Sequence, residues 1–417
     1  MQLKRKPKKI RSALALATTT MLVGTSSIVN AETSDKTWEI DSAILYYSET
    51  GRVTAIEPVV SIRKLVADEE YVSLRLVYDS LTGSSPNGAT KQPFPQSFSR
   101  VSGNEVYTTP ANETPVDPNF REARVAANLA WEKPITKTTK GIYSINYSNE
   151  IDYTSLGLAA TFSWDTSQRL RTWTAGVSYN LDNVNPLGGL PLAYSSVPTT
   201  SVGTKTTNGK SEDKTVVDIL LGFTQVLNRS TLMQFNLNFG IDDGYLTDPY
   251  KMLSVLDSNG DLINSDQYLF EKRPDSRTRQ ALYWKIVHSF GKDVVDFNYR
   301  YYWDDWGISS STFEGKYRFE LGSGHYLQPH LRYYLQDKAD FYHFNLVQGN
   351  TPQYASADYR LADMSTTTFG LKYGVELTKF SEFNVRLEKM TQQSENSDAP
   401  FDDVDAIILQ FGYNTVF

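Results

Sequence analysis

The sequence predicts an all-β protein, a transmembrane antiparallel up-and-down β-barrel of 16 strands (14–18). Three observations predict it. The last strand has one apolar and one polar face. The first residues have the form of an export signal. Short and long connections alternate between strands along the whole chain.

Counting back in twos from the carboxyl end gives Phe417, Thr415, Tyr413, Phe411, Leu409 and Ile407. The intervening set is Val416, Asn414, Gly412, Gln410, Ile408 and Ala406, which is smaller and more polar. A period of two with unlike faces is a strand between an apolar solvent and water. A strand that stops at an aromatic carboxyl terminus resembles the closing strand of bacterial outer-membrane barrels, which the barrel assembly machinery reads. Phe411, Tyr413 and Phe417 are the expected assembly signal.

The opposite end agrees. Lys4, Arg5, Lys6, Lys8, Lys9 and Arg11 form a basic region, Ala13 to Ile28 is mainly apolar, and Val29-Asn30-Ala31 offers small residues for cleavage before Glu32. Residues 1–31 therefore read as a signal peptide and 32–417 as one barrel domain. Removing those six basic residues takes the formal charge from −7 to −13. That acidity disfavours nucleic acid as a partner. A mean hydropathy of −0.41 would suit a soluble chain, but a barrel presents only alternate residues to lipid. There is no cysteine, hence no disulfide framework or thiolate metal site. Aromatic residues make up 13% of the chain, among them 26 Tyr and 7 Trp, which suit membrane–water interfaces.

Alternation marks strands at 37–48, 52–65, 69–79, 120–132, 140–148, 153–164, 168–181 and 212–227. It marks eight more at 231–242, 277–289, 293–303, 310–321, 325–336, 364–378, 382–391 and 404–417. In one clear case Phe369, Leu371, Tyr373 and Val375 alternate with Gly370, Lys372, Gly374 and Glu376. Short linkers such as Ala67-Asp68 and Gly322 to Gly324 alternate with long polar segments at 80–119, 182–211, 243–276, 337–363 and 392–403. Outer-membrane barrels have short periplasmic turns and longer outer loops. Residues 32–36 are too few for a plug domain, which disfavours an energy-driven transporter.

Several segments carry a family resemblance. They are Tyr78-Asp79-Ser80-Leu81-Thr82-Gly83-Ser84-Ser85-Pro86-Asn87-Gly88-Ala89, Gly244-Tyr245-Leu246-Thr247-Asp248-Pro249-Tyr250-Lys251, Arg273-Pro274-Asp275-Ser276-Arg277 and Tyr299 through Ile308. Arg332-Tyr333-Tyr334-Leu335-Gln336, Ala339-Asp340-Phe341-Tyr342 and Ser356-Ala357-Asp358-Tyr359-Arg360-Leu361 complete them. Through them nearly the whole mature chain resembles domain-of-unknown-function family 3570, outer-membrane β-barrels of Gram-negative bacteria. The resemblance implies a location and no activity. Where that family often has Ser-His-Thr, this chain has Ser310-Ser311-Thr312, so any role of that histidine does not carry over.

Catalytic signals are poor. The four histidines His288, His325, His330 and His343 have no metal-pair spacing and no nucleophile motif beside them. No catalytic residue, metal or cofactor is expected. Asp304, Asp305 and Trp306 form an outer-mouth motif that reads either as a ligand site or as a hairpin turn with Asp and Gly serving the backbone. Asp242-Asp243 and Asp402-Asp403-Asp405 read as divalent-ion ligands or solvated charge.

The inward face is richer. Parity places Arg277, Arg279, Lys285, Arg300, Glu314, Arg318, Glu320, Arg332, Glu376, Arg386 and Glu388 on it, along with Glu122, His330 and Lys372. Arg or Lys at a lipid midplane costs roughly 2–4 kcal/mol, so these charges should line a lumen. Outer-membrane lipid, lipopolysaccharide and the assembly machinery are the expected partners, with a small solute or a periplasmic protein as a further one. The sequence points first to a passive channel or small-solute transporter in the bacterial outer membrane, reached by export to the periplasm. A non-conducting scaffold for periplasmic or surface proteins is the alternative.

Overall fold

Strands with one apolar and one polar face must pair edge to edge, because the backbone finds no water on the apolar side. In the computed structural model, which describes residues 37–99, 105–199, 205–263, 268–395 and 403–417, sixteen strands do this and close on themselves. The export segment and Asp402 lie outside the described residues.

β1 (Trp38–Glu49) and β2 (Thr54–Ala67) make the first hairpin, followed by β3 (Glu70–Thr82). A long loop then holds a small hairpin, β4 (Gln96–Ser99) and β5 (Val106–Thr109). The wall continues with β6 (Arg121–Pro134), β7 (Thr139–Asn149), β8 (Tyr153–Thr166) and β9 (Arg171–Val184). After a second loop come β10 (Glu212–Asn228) and β11 (Thr231–Gly244). The third loop carries β12 (Met252–Leu256) and β13 (Tyr268–Phe270). β14 (Ser276–Phe290), β15 (Asp293–Asp304), β16 (Ser309–Gly322) and β17 (His325–Gln336) rejoin the wall. The fourth loop carries β18 (Leu346–Val347), and β19 (Met364–Thr378), β20 (Ser381–Ser394) and β21 (Val404–Val416) finish the circuit.

The sixteen wall strands match the sixteen alternating segments of the sequence within a few residues. The barrel closes between β1 and β21, with Ile44 opposite Phe411 and Tyr46 opposite Leu409. Trp38 N donates to Phe417 O at 2.9 Å and Phe417 N returns to Trp38 O at 3.0 Å. Among the described residues no helix is long and apolar enough to cross a membrane, so the strands would do the crossing. Ile44, Leu129, Ile145, Leu158, Phe369 and Phe411 stand exposed on the outer face, where lipid can cover them. The turns at one rim are short. The four long loops all leave the other rim.

Those loops differ from the polar segments expected. They pack into a cap that holds most of the buried apolar side chains. Ala89, Phe98 and Tyr107 from the first loop meet Val197 from the second and Met252, Tyr268 and Phe270 from the third. Leu253 and Val255 of the third loop pack on Leu346, Ala355 and Ala357 of the fourth. Trp306 and Ile308 of the β15–β16 turn join Ala339, Phe341, Tyr342 and Leu361. Backbone pairing binds the third and fourth loops as well, since β12 runs parallel to β18. The physical reason is that one wall face is apolar toward lipid and the other is charged. Water-excluded packing is left to the loops, whose apolar residues have no periodicity to betray them.

Candidate functional site: a charged inner wall beneath the cap

The inner wall is laced with ion pairs, some within one strand and some between strands. Arg277 donates to Asp304 at 2.8 Å. Arg279 lies 2.9 Å from Asp242 and 3.0 Å from Asp218. Lys285 meets Asp296 at 2.7 Å. Farther round, Glu314 lies 2.5 Å from Lys316 and 2.9 Å from His330 Nε2, and accepts from Asn298 at 2.9 Å. The other ring nitrogen of His330 is 2.7 Å from Glu388, which lies 3.8 Å from Arg386. Nearer the turn rim Arg318 meets Glu320 at 2.6 Å and stacks 3.6 Å over the ring of Tyr326. The Tyr326 hydroxyl donates to Glu382 at 2.6 Å.

Three of these contacts span an intervening strand, Tyr326 to Glu382 over Gly374 among them, and two show how a glycine makes this possible. His330 pairs in register with Gly370, and Gly370 with Glu388. A Cβ on Gly370 would sit 2.5 Å from Glu388 Cγ. Asp218, Gly240 and Arg279 share a register row in the same way. A Cβ on Gly240 would lie 2.7 Å from Asp218 Oδ1 and 2.8 Å from Arg279 Cζ. The missing side chain is the gap through which next-nearest strands join charges.

The outer-mouth motif is occupied by its own fold. Asp304 accepts from Trp306 N at 3.0 Å and Ile308 N at 2.9 Å, and from the Tyr302 hydroxyl at 2.7 Å. Asp305 accepts from Thr278 N at 2.9 Å. Trp306 is buried and donates to Ser276 O at 2.8 Å. Of the two readings of this motif, the geometry favours the turn. Arg277, on the adjacent strand, supplies the cation that meets Asp304. Arg300 does not.

Of the acidic clusters, Asp243 and Asp405 are exposed, as solvated charge would be, and Asp242 departs from both readings. Asp242 is the inner-wall partner of Arg279. Asp405 accepts from Thr391 at 2.7 Å. A different trio, Glu122, Glu150 and Asp152, brings carboxylate oxygens within 4.8 Å of one another at the loop rim. The Tyr250 hydroxyl of the third loop donates to Asp152 and so ties the trio to the cap. Glu376 stands exposed at the turn rim.

The cap has a buried polar centre that parity could not foresee. Arg273 lies 2.5 Å from Glu271 and 2.9 Å from Asp358. Arg360 bonds Asp358 through Nε at 2.9 Å and reaches Asp248 at 2.7 Å. Ser356 donates to Glu271. The Lys251 ammonium is buried and donates to Ser85 Oγ at 2.9 Å and Pro86 O at 2.6 Å. Burial pushes the Asp358 carboxyl up, but Arg360, Lys251 and Arg273 outweigh it and hold it below the usual range. Asp248 is lowered too, its burial outweighed by Arg360 and Lys251. Burial raises Glu271, and Arg273 offsets only part of that. The one available signal was the recurrence of Lys251, Arg273, Asp358 and Arg360 in the quoted family segments. Those segments come together here.

A family model described as "Protein of unknown function (DUF3570)" matches residues 11–414. No curated protein matches the sequence. Among solved structures, the chain is similar to a bacterial polysaccharide outer membrane secretin at 8% identity and a TM-score of 0.46, covering 92% of this chain and 100% of that one. It is similar to the CymD monoaromatic hydrocarbon channel at 9% identity and 0.41, covering 92% and 89%. It is also similar to Pseudomonas aeruginosa OpdK with vanillate at 10% identity and 0.39, covering 92% and 99%.

Proposed function

The chain belongs to the DUF3570 family, and from that premise we propose that it is a passive channel or small-solute transporter of the bacterial outer membrane. The observation that carries this reading is the opposition of the two wall faces. The outer face is apolar and exposed over the whole circuit, whereas the inner face carries cations and anions on adjacent strands. A barrel of sixteen strands is wide enough for an aqueous path. In this reading the export segment delivers the chain to the periplasm and the assembly machinery inserts it. The short turns then face the periplasm, and the cap sits among lipopolysaccharide head groups. Purified full-length protein in planar bilayers should give discrete conductance steps.

The packed cap and cross-linked wall favour a second reading, a non-conducting barrel whose cap docks another protein. Bilayer recording separates the two. Silence from a heat-modifiable, fully inserted barrel rejects the channel and leaves the scaffold.

A further inference from the structure

Two inner-wall guanidiniums stand apart from the ion-pair lattice. Arg300 on β15 faces Tyr283 and Thr312 in register, both uncharged. Arg332 on β17 faces Glu314, but that carboxylate is already held by Asn298, Lys316 and His330. The other nearby carboxylate, Asp304, is held by Arg277 and Tyr302. Among the described residues neither Arg300 nor Arg332 contacts a carboxylate. Each instead meets a ring, Arg300 5.8 Å from the Tyr302 centroid and Arg332 5.5 Å from the Tyr334 centroid.

They also stand together. Thr312 is the register partner of both Arg300 and Tyr334, so β16 alone separates the two arginine strands. Neighbouring strands are about 4.8 Å apart, so the two backbones are about 10 Å apart, a span that one small anion between two long side chains can bridge. A guanidinium presents a planar fork that matches a carboxylate with two parallel hydrogen bonds. The tyrosine faces beneath favour the cations where they are and offer flat apolar surface beside them.

We infer that Arg300 and Arg332, flanked by Thr312, Tyr302 and Tyr334, form a binding site in the loop-rim half of the lumen for a small organic carboxylate, preferably one with a flat ring. This site deepens the channel reading and rests on it for its role in transport, but its binding does not depend on conductance.

Two measurements on the full-length barrel keep the site and the channel apart. Calorimetric titration with sodium benzoate should show saturable binding to wild type, and benzyl alcohol, of like shape without charge, should bind far more weakly. The double substitution Arg300→Gln with Arg332→Gln should weaken benzoate binding at least about tenfold, the loss of a charge-assisted pair. Arg300→Lys with Arg332→Lys keeps the charge and loses the fork, and should fall between. Lys292→Gln, in a short turn at the opposite rim, should bind as wild type does. In bilayers, benzoate should reduce wild-type current and reduce it less in the glutamine variant. Absent benzoate binding to wild type, or equal binding by wild type and a heat-modifiable glutamine variant, overturns the site whatever the conductance. Binding that follows this order in a barrel with no conductance upholds the site and rejects the channel.

Discussion

At Gly370 a single methyl group decides whether two strands are joined. Gly370→Ala places a Cβ against Glu388 and should part Glu388 from His330. Overpacking of this kind typically costs about 1–3 kcal/mol. The expected readout is a lower melting temperature by heat modifiability on gels. In a Glu388→Ala background the same change should cost much less, because the clash and the bond are both gone. Equal costs in the two backgrounds would show that the glycine serves something else. Parity in the sequence was enough to put Arg277, Lys285, Arg318 and Glu388 on one face. It could not pair them, since pairing depends on strand register and on which neighbours lack a side chain. The separation of Arg300 and Arg332 from the carboxylates was invisible for the same reason. Sequence shows that both signs are present, and only the fold shows which cations are already satisfied.

The elements divide by periodicity. Wall strands such as β16 and β19 could be read because apolar and polar residues alternate under the constraint of lipid on one side. The cap could not, because Phe98, Met252, Leu346 and Phe341 meet through loop conformations with no repeat. Its polar centre should govern its stability. Arg273→Ala leaves Glu271 and Asp358 buried with a cation removed, a loss of about 3–5 kcal/mol in such settings. The barrel should stay heat-modifiable while segment 245–275 gains hydrogen exchange and becomes open to protease. Acid should act on the same place. Asp358 and Asp248 are held below their unfolded values, so the unfolded cap binds more protons at low pH. Their contribution is complete above an unfolded value of about 3.9 and is lost as pH falls below it. Glu271 has the opposite sign, since its raised carboxyl gives up stability as pH climbs from its unfolded value of about 4.3 toward its folded one. Two lowered groups against one raised group predict a cap that loosens below about pH 4. Hydrogen exchange in 337–363, corrected for intrinsic rates, should rise on acidification well before the wall strands respond, and exchange independent of pH over that range would rule the device out.

Over the whole molecule, the outward facing of the last strand leads to a prediction that its aromatic residues serve assembly. Phe411, Tyr413 and Phe417 are exposed on the lipid face, whereas Asn414 lies on the opposite one and pairs with Asp41 and Glu382. Deleting Phe417, or replacing it with Asp, should lower outer-membrane levels by tenfold or more on the order set by losing a recognition contact. Asn414→Ser should leave them near wild type. Similar levels for the two variants would detach assembly from that residue.

The ladder that joins Trp38 to Phe417 has a consequence for what the two ends are for. Head and tail of the described residues lie side by side at one rim, so the wall is in effect a circle cut at one point. Nothing in the wall requires the cut to be there. A short linker joining Phe417 to Thr37, with new ends opened between Ser323 and Gly324, keeps every strand pair and leaves the cap untouched. Such a permuted chain should refold from urea into detergent with the melting behaviour of the natural order. Offered to living cells behind an export signal, it should arrive in the periplasm and go no further, because its closing aromatic residue is now in mid-chain. The position of the cut would then be an address label, written for the machinery that reads it and of no account to the structure it delivers.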